Sequence, residues 1–338
     1  MSRAVNVAVV GATGLVGETM LSVLEQRQFA TESIVALASE RSAGNQVMHA
    51  GKNLVVQDLA KFDFSKTDIA LFSAGGSVSK IYAPKAAAAG AVVVDNTSCF
   101  RYDKDIPLVV PEVNPDHLAS YTDRGIIANP NCSTIQMVVA LKPIYDAVGI
   151  SRINVATYQA VSGAGRSSVE KLAKDTAQLL NGQGMDDEAK AATIAFNAVP
   201  HIDMFQDNGY TKEEMKMVWE TRKIMGDESI QVNPTAVRVP VFFGHSMAVH
   251  IETIDDIEID QVNGLLDGAP GIELVPHFDR YPTAVADAAD NDPVYVGRVR
   301  KDISHPKGLN LWVVADNVRK GAALNSVQIA EILVKDYL

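Results

Sequence analysis

Cysteine is nearly absent from this chain, and this scarcity excludes a disulfide framework. The 338 residues contain only two cysteines, Cys99 and Cys132. Domains held together by disulfides carry several bridges, so we expect a reducing compartment. Zinc clusters also need more cysteine than this, and His245 and His250 do not have the spacing of a metal site. We therefore predict no bound metal.

Long apolar runs are missing as well. No stretch reaches the roughly 18 apolar residues that predict a membrane span. The N-terminal sequence "MSRAVNVAVVGATG" passes from a short apolar run directly into a glycine loop. It lacks the apolar core and cleavage site of a signal peptide. These absences predict a cytoplasmic protein.

Positive charge is in short supply. Lysine and arginine number 30 against 41 acidic residues, which gives a formal charge of -11. This balance argues against nucleic acid or an anionic membrane as the main partner, although local basic pockets can still bind a small anion. The hydrophobic share of 47% is ordinary for a globular protein. The length suggests two domains, with hydrophobic cores large enough to fold without disulfides or bound metal ions.

The first part of the chain alternates short apolar strands with helical patterns. The predicted strands are "NVAVV", "SIVALAS", "DIALFSA", "AVVVDN" and "GIIAN". Helical stretches such as "LVGETMLSVLEQ" and "VSKIYAPKAAAAG" lie between them. This alternation is typical of βαβ units, and continuous apolar strands fit a sheet covered on both faces. We predict a Rossmann-like, doubly wound parallel sheet in an α/β domain over residues 1–128.

The pattern changes after Cys132. The stretches "RINVATYQAVSG", "TAVRVPVFFG" and "MAVHIETI" read as longer strands, with Val237, Val239 and Val241 on one face and Arg238 on the other. They predict a mixed or antiparallel sheet in an α+β domain over residues 129–314. The amphipathic tail "NSVQIAEILVKDYL" is expected to pack back on the first domain, so that residues 315–338 complete it. We expect surface loops at "NGQGMDD" and "ADAADND".

A glycine loop, "VVGATGLVGETML", follows the first predicted strand. Gly11, Gly14 and Gly17 permit a tight turn and let backbone N–H groups approach a pyrophosphate at a helix N-terminus. The spacing is G-x-x-G-x-x-G rather than G-x-G-x-x-G. Because the loop lies in a first βα unit, it predicts a nucleotide-binding domain.

The end of the second strand, "ASERSAG", bears on the choice between NAD and NADP. Glu40 could accept a hydrogen bond from a ribose 2′-hydroxyl, which favours NAD. Arg41, flanked by Ser39 and Ser42, could instead hold a 2′-phosphate, and we favour NADP. The loop "SAGGSVS", residues 73–79, could lie along the cofactor or be a plain βα turn.

Cys132 lies in "NPNCST", between a predicted strand and the predicted helix "STIQMVVALKPI". The positive end of a helix dipole favours the thiolate, and the backbone N–H groups there could also hold an oxyanion. Asn131 offers an amide for the same task. An activated thiol beside a nucleotide domain indicates aldehyde or acyl chemistry. We interpret Cys99 as structural.

Five motifs in order then carry a resemblance. They are "GATGLVG", "NPNCST", "VSGAGR", "VRVPVFFGHS" and "DNVRKGAALNSVQIAE". Over essentially its whole length the chain resembles the aspartate-semialdehyde dehydrogenase family. The resemblance implies NADPH-dependent reductive dephosphorylation of β-aspartyl phosphate to aspartate semialdehyde and phosphate. It also implies a role in lysine, threonine, methionine and isoleucine synthesis, and a homodimer. The stretch "AATIAFNAVPHIDMF" could supply an apolar interface or only core.

The resemblance implies a role for each matching residue. Cys132 matches the nucleophile, His245 the acid/base and Gln159 a residue that orients the substrate. Arg238 and Glu213 match the groups that bind the substrate α-carboxylate and ammonium. Lys216 and Arg101 match phosphate contacts. The predicted cofactor contacts are Gly11, Thr13, Gly14, Leu15, Val16, Gly17, Ser39, Arg41, Ser42, Ser73, Ala74, Gly75, Gly76, Ser162, Gly163 and Asn317.

Several alternatives stay open on the residues alone. Glu213 and Lys216 could form an ordinary surface pair, and Glu220 with Lys223 repeats the same spacing. Arg238 could be an exposed arginine, and His245 a structural histidine. Among rival functions, N-acetyl-γ-glutamyl-phosphate reductase shares the chemistry, but it has a glycine where this chain has Asn131. A nucleotide-sensing protein without catalysis is the rival from another class.

Overall fold

The computed structural model describes residues 3–184, 190, 193–276 and 279–338. These residues fold into two compact units. The first comprises Met1–Asn131 with Gly321–Leu338, and the second comprises Cys132–Lys320. Part of the loop predicted at residues 181–187, and the first two residues of the stretch at 191–205, lie outside the described residues.

The first unit contains a parallel sheet, a small hairpin and three helices. Its strands are β1 (Val5–Val10), β2 (Thr31–Ala38), β3 (Gln46–His49), β4 (Lys52–Val55), β5 (Gln57–Asp58), β6 (Ile69–Phe72), β7 (Val92–Asp95) and β8 (Ile126–Ala128). Its helices are α1 (Leu15–Gln26), α2 (Gly76–Ala88) and, at the end of the chain, α7 (Leu324–Asp336). Short 3₁₀ turns lie at Glu40–Ser42, Leu59–Lys61, Phe64–Lys66 and Pro115–Asp123.

The strand order of this sheet confirms the predicted fold class. The order is β5-β2-β1-β6-β7-β8, and every pairing is parallel. The chain therefore winds outward from β1 in both directions, as in a doubly wound dinucleotide-binding sheet. The switch point lies between β1 and β6, where the winding of the sheet reverses.

Helix α7 packs in this unit beside α1. Leu324, Val327 and Leu333 are buried in the same apolar core as Met20 and Leu24 of α1. The core fixes the helix because burying a large apolar side chain stabilises by about 1.5–3 kcal/mol.

The second unit is built on a six-stranded sheet. Its strands are β9 (Ile150–Gln159), β10 (Gln231–Arg238), β11 (His245–Thr253), β12 (Ile272–Val275), β13 (Val294–Lys301) and β14 (Gly308–Ala315). Its helices are α3 (Cys132–Val148), α4 (Arg166–Leu180), α5 (Lys212–Met225) and α6 (Ile259–Leu266). Val161–Ala164 forms a 3₁₀ turn, and Ala284–Ala288 and Arg319–Ala323 form short π-helical turns.

The second sheet is mixed, which is one of the two forms predicted, mixed or antiparallel. The order is β10-β9-β11-β14-β13-β12, with parallel pairs at both edges and antiparallel pairs between them. Helix α3 packs against β9, β11, β13 and β14. An α+β unit with a mixed sheet is the predicted architecture.

The strand prediction at residues 235–244 was wrong in its second half. Strand β10 ends at Arg238, so Val239 and Val241 are not strand residues. Pro240 explains the break, since proline has no N–H to donate to a ladder and restricts the residue before it. Arg238 also lies on the buried face of β10 with Ala236, rather than on an exposed face.

The hairpin β3–β4, the helix α6 and the last three strands were not predicted. Among the described residues, none of the helices is both long enough and apolar enough to cross a bilayer.

The glycine loop gives a test of this packing. A Cβ at Gly17 would lie 2.2 Å from the carbonyl oxygen of Gly11 and 2.8 Å from Cα of Ala12. We expect Gly17→Ala to lower the free energy of unfolding by about 1–3 kcal/mol, because backbone atoms must shift. Urea denaturation of the purified protein measures this change.

Gly264→Ala is the control, since a Cβ in that helix meets nothing within 4 Å. It should raise the free energy of unfolding by about 0.5–1 kcal/mol through helix propensity. Equal effects of the two substitutions would contradict the steric explanation.

Candidate active site

Cys132 is the first residue of α3. Asn131, which precedes it, is the last residue of the first unit and is buried. Neither Cys132 nor Cys99 forms a disulfide, and Cys132 keeps partial exposure. The first-turn N–H groups of a helix have no partners within it. This end of α3 can therefore stabilise a thiolate or an oxyanion at Cys132.

Three strands of the second unit bring predicted side chains to one edge of the sheet. Gln159 ends β9, Arg238 ends β10 and His245 begins β11. Because Gln159 pairs directly with Arg238 across the parallel ladder, the two side chains come from adjacent backbone positions. The antiparallel β11 places its first residue at the same edge.

His245 is fully buried and held through one ring nitrogen. The N–H of Ala160 donates to Nδ1 of His245 at 3.0 Å. Burial, with the charge of Arg238 as a second cause, lowers the pKa of His245 to about 3. The ring is therefore neutral at ordinary pH, and its single proton lies on Nε2 because Nδ1 is an acceptor.

Gln159 links His245 to Glu213. Nε2 of Gln159 donates to Oε1 of Glu213 at 3.1 Å and lies 3.4 Å from Nε2 of His245. Glu213 is buried in the first turn of α5, whose N-terminus is fixed by a capping box between Thr211 and Glu214. The cap fixes the first turn of α5, in which Glu213 contacts Gln159 at the end of β9.

The position of α5 determines which of its two acid–lysine pairs, Glu213 with Lys216 or Glu220 with Lys223, lies near Gln159. Glu213 contacts both Gln159 and Lys216, whose Nζ lies 2.9 Å from Oε2 of Glu213. Glu220 is seven residues further on, about 10 Å along the helix axis. The structure therefore places Glu213 and Lys216, rather than Glu220 and Lys223, beside Gln159.

Lys216 has a second carboxylate partner, Asp203, which was not predicted. Oδ2 of Asp203 lies 2.8 Å from Nζ of Lys216. Burial disfavours the ammonium, but Glu213 and Asp203 outweigh it and raise the pKa of Lys216. Asp203 has a φ of 67°, a left-handed conformation that is unusual outside glycine. Lys216 thus stays charged in a nearly buried place.

Arg238 is buried, and its guanidinium is hydrogen-bonded to the backbone of Ala160, which follows Gln159, the ladder partner of Arg238. Nη1 of Arg238 donates to the carbonyl of Ala160 at 2.7 Å. Burial lowers the pKa of Arg238, while Glu213 and Cys132 act in the opposite direction. The coupling to Cys132 is mutual, so this guanidinium favours a thiolate there. The remaining N–H donors of the fork can take a carboxylate.

Ser162, Gly163 and Asn317 also belong to the second unit. Oδ1 of Asn317 accepts from Oγ of Ser162 at 3.1 Å and from the N–H of Gly244 at 3.0 Å. A Cβ on Gly163 would lie 3.1 Å from Nη1 of Arg238 and 3.3 Å from Nε2 of His245. Glycine at position 163 therefore avoids a tight contact with both Arg238 and His245.

The predicted glycine loop lies at the switch point of the first sheet. Gly11 has a φ of 86°, and a Cβ there would lie 2.8 Å from the backbone of Ser73. A cavity of about 550 Å³ opens beside this close approach. Its lining includes the predicted residues Gly11, Thr13, Gly14, Ser39, Arg41, Ser42, Ser73 and Ala74.

This cavity fits a dinucleotide, since its size is within the usual range for ligand sites and it lies at the N-terminus of α1. Leu15 and Val16 present first-turn N–H groups there. Gly17 is instead held against Gly11 and Ala12, which fits a packing role. Gly75 and Gly76 form the start of α2 after β6.

Two cations line the cavity, Arg41 after β2 and Lys61 after the neighbouring strand β5. Arg41 was predicted, while Lys61 follows β5 and was missed because that strand has only two residues. Nζ of Lys61 lies 3.3 Å from Oδ2 of Asp58 and 3.8 Å from Oε1 of Glu40.

Arg101, the other predicted phosphate contact, belongs to the first unit. Its guanidinium is buried and donates to the carbonyl of Asn96 at 2.9 Å. Asp95 beside it is fully buried; burial raises the pKa of its carboxyl, and hydrogen bonds from Ser79 and Thr97 oppose that shift.

Two family models match the chain. The semialdehyde dehydrogenase NAD binding domain matches residues 6–121, and the semialdehyde dehydrogenase dimerisation domain matches residues 141–320. An aspartate-semialdehyde dehydrogenase of Legionella pneumophila is 64% identical over 340 residues, covering 100% of this chain and 98% of that protein. The chain belongs to the aspartate-semialdehyde dehydrogenase family.

Solved structures of the aspartate-semialdehyde dehydrogenase family share the whole fold. The Vibrio cholerae aspartate semialdehyde dehydrogenase II, complexed with ASA, superposes with a TM-score of 0.97 at 61% identity, covering 100% of both chains. The Candida albicans aspartate semialdehyde dehydrogenase with NADP gives a TM-score of 0.77 at 26% identity, covering 98% of both chains.

The buried histidine predicts how stability depends on pH. The pKa of His245 is about 3 in the folded protein, against an ordinary value of 6.5, so the folded state binds this proton more weakly. The unfolded state therefore gains protons first as the pH falls, and stability is lost below pH 6.5. When the pH is lowered from about 8 to about 5, this residue should lower the free energy of unfolding by about 2 kcal/mol.

The measurement compares His245→Asn with the original protein by urea denaturation at both pH values. The asparagine can accept the Ala160 N–H but cannot take a proton, so its loss on acidification should be smaller by that amount. His201→Asn, at an exposed ring outside this group, is the control. Identical pH dependence in His245→Asn and the original protein would contradict the buried neutral ring.

Proposed function

We propose that this chain catalyses the NADPH-dependent reductive dephosphorylation of β-aspartyl phosphate to aspartate semialdehyde and phosphate. The observation that carries the proposal is the set of opposite charges around Gln159 and His245 in the unit that begins with Cys132. Arg238 offers a cationic fork and Glu213 a carboxylate on the same buried edge. An amino acid with a free ammonium and a free carboxylate matches both. The reaction belongs to lysine, threonine, methionine and isoleucine synthesis.

Substrate binding follows from the charges that remain available. One nitrogen of Arg238 is engaged with Ala160, and the other donors can bind the α-carboxylate in the bidentate manner suited to arginine. Glu213 is the proposed partner of the ammonium, and Gln159 orients the substrate beside the thiol. Lys216 and Arg101 are proposed to bind the phosphate.

The chemistry begins at Cys132. Its thiolate attacks the acyl phosphate carbonyl, the oxyanion is stabilised by Asn131 and the N-terminal amides of α3, and the carbon–oxygen bond to phosphate breaks to leave a thioester. A nicotinamide dinucleotide, when bound, supplies the hydride that reduces this thioester. The hemithioacetal then expels the thiolate and releases the aldehyde.

His245 acts in this scheme through Nε2–H. A ring with a pKa of about 3 cannot store a proton as imidazolium near neutral pH. It can donate a hydrogen bond to the oxygen that gains charge in each tetrahedral adduct. We therefore propose that the acid/base role predicted for His245 is limited to donating a hydrogen bond from the neutral ring to that oxygen.

NADP is the cofactor we propose over NAD. Arg41, after β2, and Lys61, after the neighbouring strand β5, line the cavity where a 2′-phosphate would be bound. Glu40 also lines the cavity, and its Oε1 lies 3.8 Å from Nζ of Lys61.

Most of the proposed catalytic and substrate-binding residues belong to the second unit, Asn131 and Arg101 belong to the first, and cofactor binding is proposed mainly for the first. The contacts of Ser162, Gly163 and Asn317 with the cofactor, and the cytoplasmic location, stay predictions.

The activity test is phosphate-dependent reduction of NADP with aspartate semialdehyde, followed at the nicotinamide absorbance. Cys132→Ala should lower kcat by at least about 1,000-fold, because the proposed thioester forms on this sulfur. Cys99→Ala, the control at the other cysteine, should stay within about twofold. Turnover of N-acetylglutamate semialdehyde instead of aspartate semialdehyde would place the chain with the rival reductase.

A homodimer is the proposed assembly. Residues 141–320 match a dimerisation domain, and they include the second sheet. The face of that sheet opposite α3 exposes Tyr158, whose ring lies 5.7 Å from that of Trp312. Ala248 pairs with Trp312 at the middle of this face and is exposed. A partly apolar sheet face of this kind fits a second copy of the chain.

Ala248→Arg tests this face. Two-fold symmetry would bring two new charges into one apolar contact, so the variant should run as a monomer in sedimentation velocity at concentrations where the original is dimeric. Ile81→Arg, at an exposed position of α2, is the matched control and should stay dimeric. A dimeric Ala248→Arg protein would exclude this face.

A further inference from the structure

Thr157 lies beneath Gln159 and does not face solvent. The two residues are two apart on β9, so their side chains share one face of the sheet. Thr157 is fully buried between β10 and β11, where it pairs with Ala236 and Met247. A side chain in this place can act on a ligand only through another residue.

The hydroxyl of Thr157 holds the amide of Gln159 by its oxygen. Oγ1 of Thr157 donates to Oε1 of Gln159 at 3.0 Å. The other end of the amide donates to Oε1 of Glu213 at 3.1 Å. The nitrogen and the oxygen of an amide are assigned by such partners. A hydroxyl on one side and a carboxylate on the other give the same assignment.

This arrangement matters because of the proton on His245. Nδ1 of His245 accepts from Ala160, so the neutral ring carries its proton on Nε2. Nε2 of Gln159, 3.4 Å away, is also a donor. Two donors form no hydrogen bond, so the proton of His245 is not taken by Gln159. A Cβ at Gly163 would crowd the same nitrogen at 3.3 Å, and glycine avoids this contact.

If the hydroxyl of Thr157 were absent, the side-chain carbonyl of Gln159 could turn toward a second donor, Nε2–H of His245. Without the hydroxyl of Thr157, Oε1 of Gln159 would be a buried acceptor that has lost its hydroxyl donor, which is costly. A half-turn of the amide would bring that oxygen to the place now 3.4 Å from Nε2 of His245. The carboxylate of Glu213 opposes this half-turn, because two acceptors would then face each other, so the hydroxyl of Thr157 is the second of two contacts that keep the amide from taking the proton of the ring.

We infer that Thr157 is a positioning residue for the proposed reaction: its hydroxyl holds the carbonyl of Gln159 away from His245, and so keeps Nε2–H of His245 available to the substrate oxygen. This role deepens the proposed function and rests on it for the effect on turnover. The effect on the proton of His245 does not depend on any substrate.

The kinetic experiment compares Thr157→Val with Thr157→Ser in the aspartate semialdehyde assay. Valine keeps the shape but removes the hydroxyl, and we expect kcat to fall about 10-fold, the scale of one buried hydrogen bond. Serine keeps the hydroxyl and should restore kcat to within about threefold of the original. Equal loss in both variants, or no loss in Thr157→Val, would overturn the inference.

Thr253→Val is the matched control for buried hydroxyls. Thr253 lies buried at the far end of β11, and its Oγ1 donates to the carbonyl of Lys307 at 3.1 Å. This variant should lose thermal stability as Thr157→Val does, but keep kcat. A similar fall in kcat would mean that destabilisation alone explains the effect.

A double-mutant cycle tests whether Thr157 acts through Gln159. In a Gln159→Ala background, Thr157→Val should cause no further fall in kcat, because the amide it holds is gone. An undiminished fall of about 10-fold in that background would contradict the inference.

A spectroscopic measurement separates this inference from the proposed function. In protein labelled with ¹⁵N-histidine, the Nε2–H signal of His245 should shift downfield in Thr157→Val, as its proton enters a hydrogen bond, and not in Thr157→Ser. If the original protein fails to turn over aspartate semialdehyde but the shift is seen, the proposed function fails and the positioning role stands. An unshifted signal overturns the positioning role whatever the activity.

Discussion

One short stretch of backbone, at Ala160, fixes the two side chains on which the proposed chemistry depends. The N–H of Ala160 donates to His245, and its carbonyl accepts from Arg238. Both side chains are buried, and a buried polar group without partners is costly. The backbone at the end of β9 thus determines which nitrogen of His245 carries the proton and where the fork of Arg238 points. A backbone anchor of this kind holds both groups with little freedom.

Charge balance is the second constraint on the site. Arg238 and Lys216 bring two positive charges to a nearly buried edge, and Glu213 and Asp203 bring two negative ones. Buried ions are stable only when they are paired and hydrogen-bonded. The pairing raises the pKa of Lys216 and lowers that of Asp203, and it leaves donors of Arg238 for an incoming carboxylate.

The first unit meets a different constraint, which is the close approach of two loops. Gly11 lies so near Ser73 that no side chain fits between them, and a Cβ on Gly17 would be still closer to Gly11. These contacts bring the loops after β1 and β6 together at the point where the sheet reverses its winding. The same glycines that were predicted to meet a cofactor therefore also hold the sheet and α1 together.

Local patterns in the sequence determined much of this protein. The bounds of α1, a helix that begins at or next to Cys132 and the parallel first sheet follow from periodicity, glycines and strand–helix alternation, which act over a few residues. Only the tertiary structure decided that Glu213 rather than Glu220 faces Gln159, that Asp203 holds Lys216, and that Thr157 holds Gln159. The first two depend on residues distant in the chain. The third depends on which face of β9 is buried, and alternation along a strand does not tell which side chain finds a partner there.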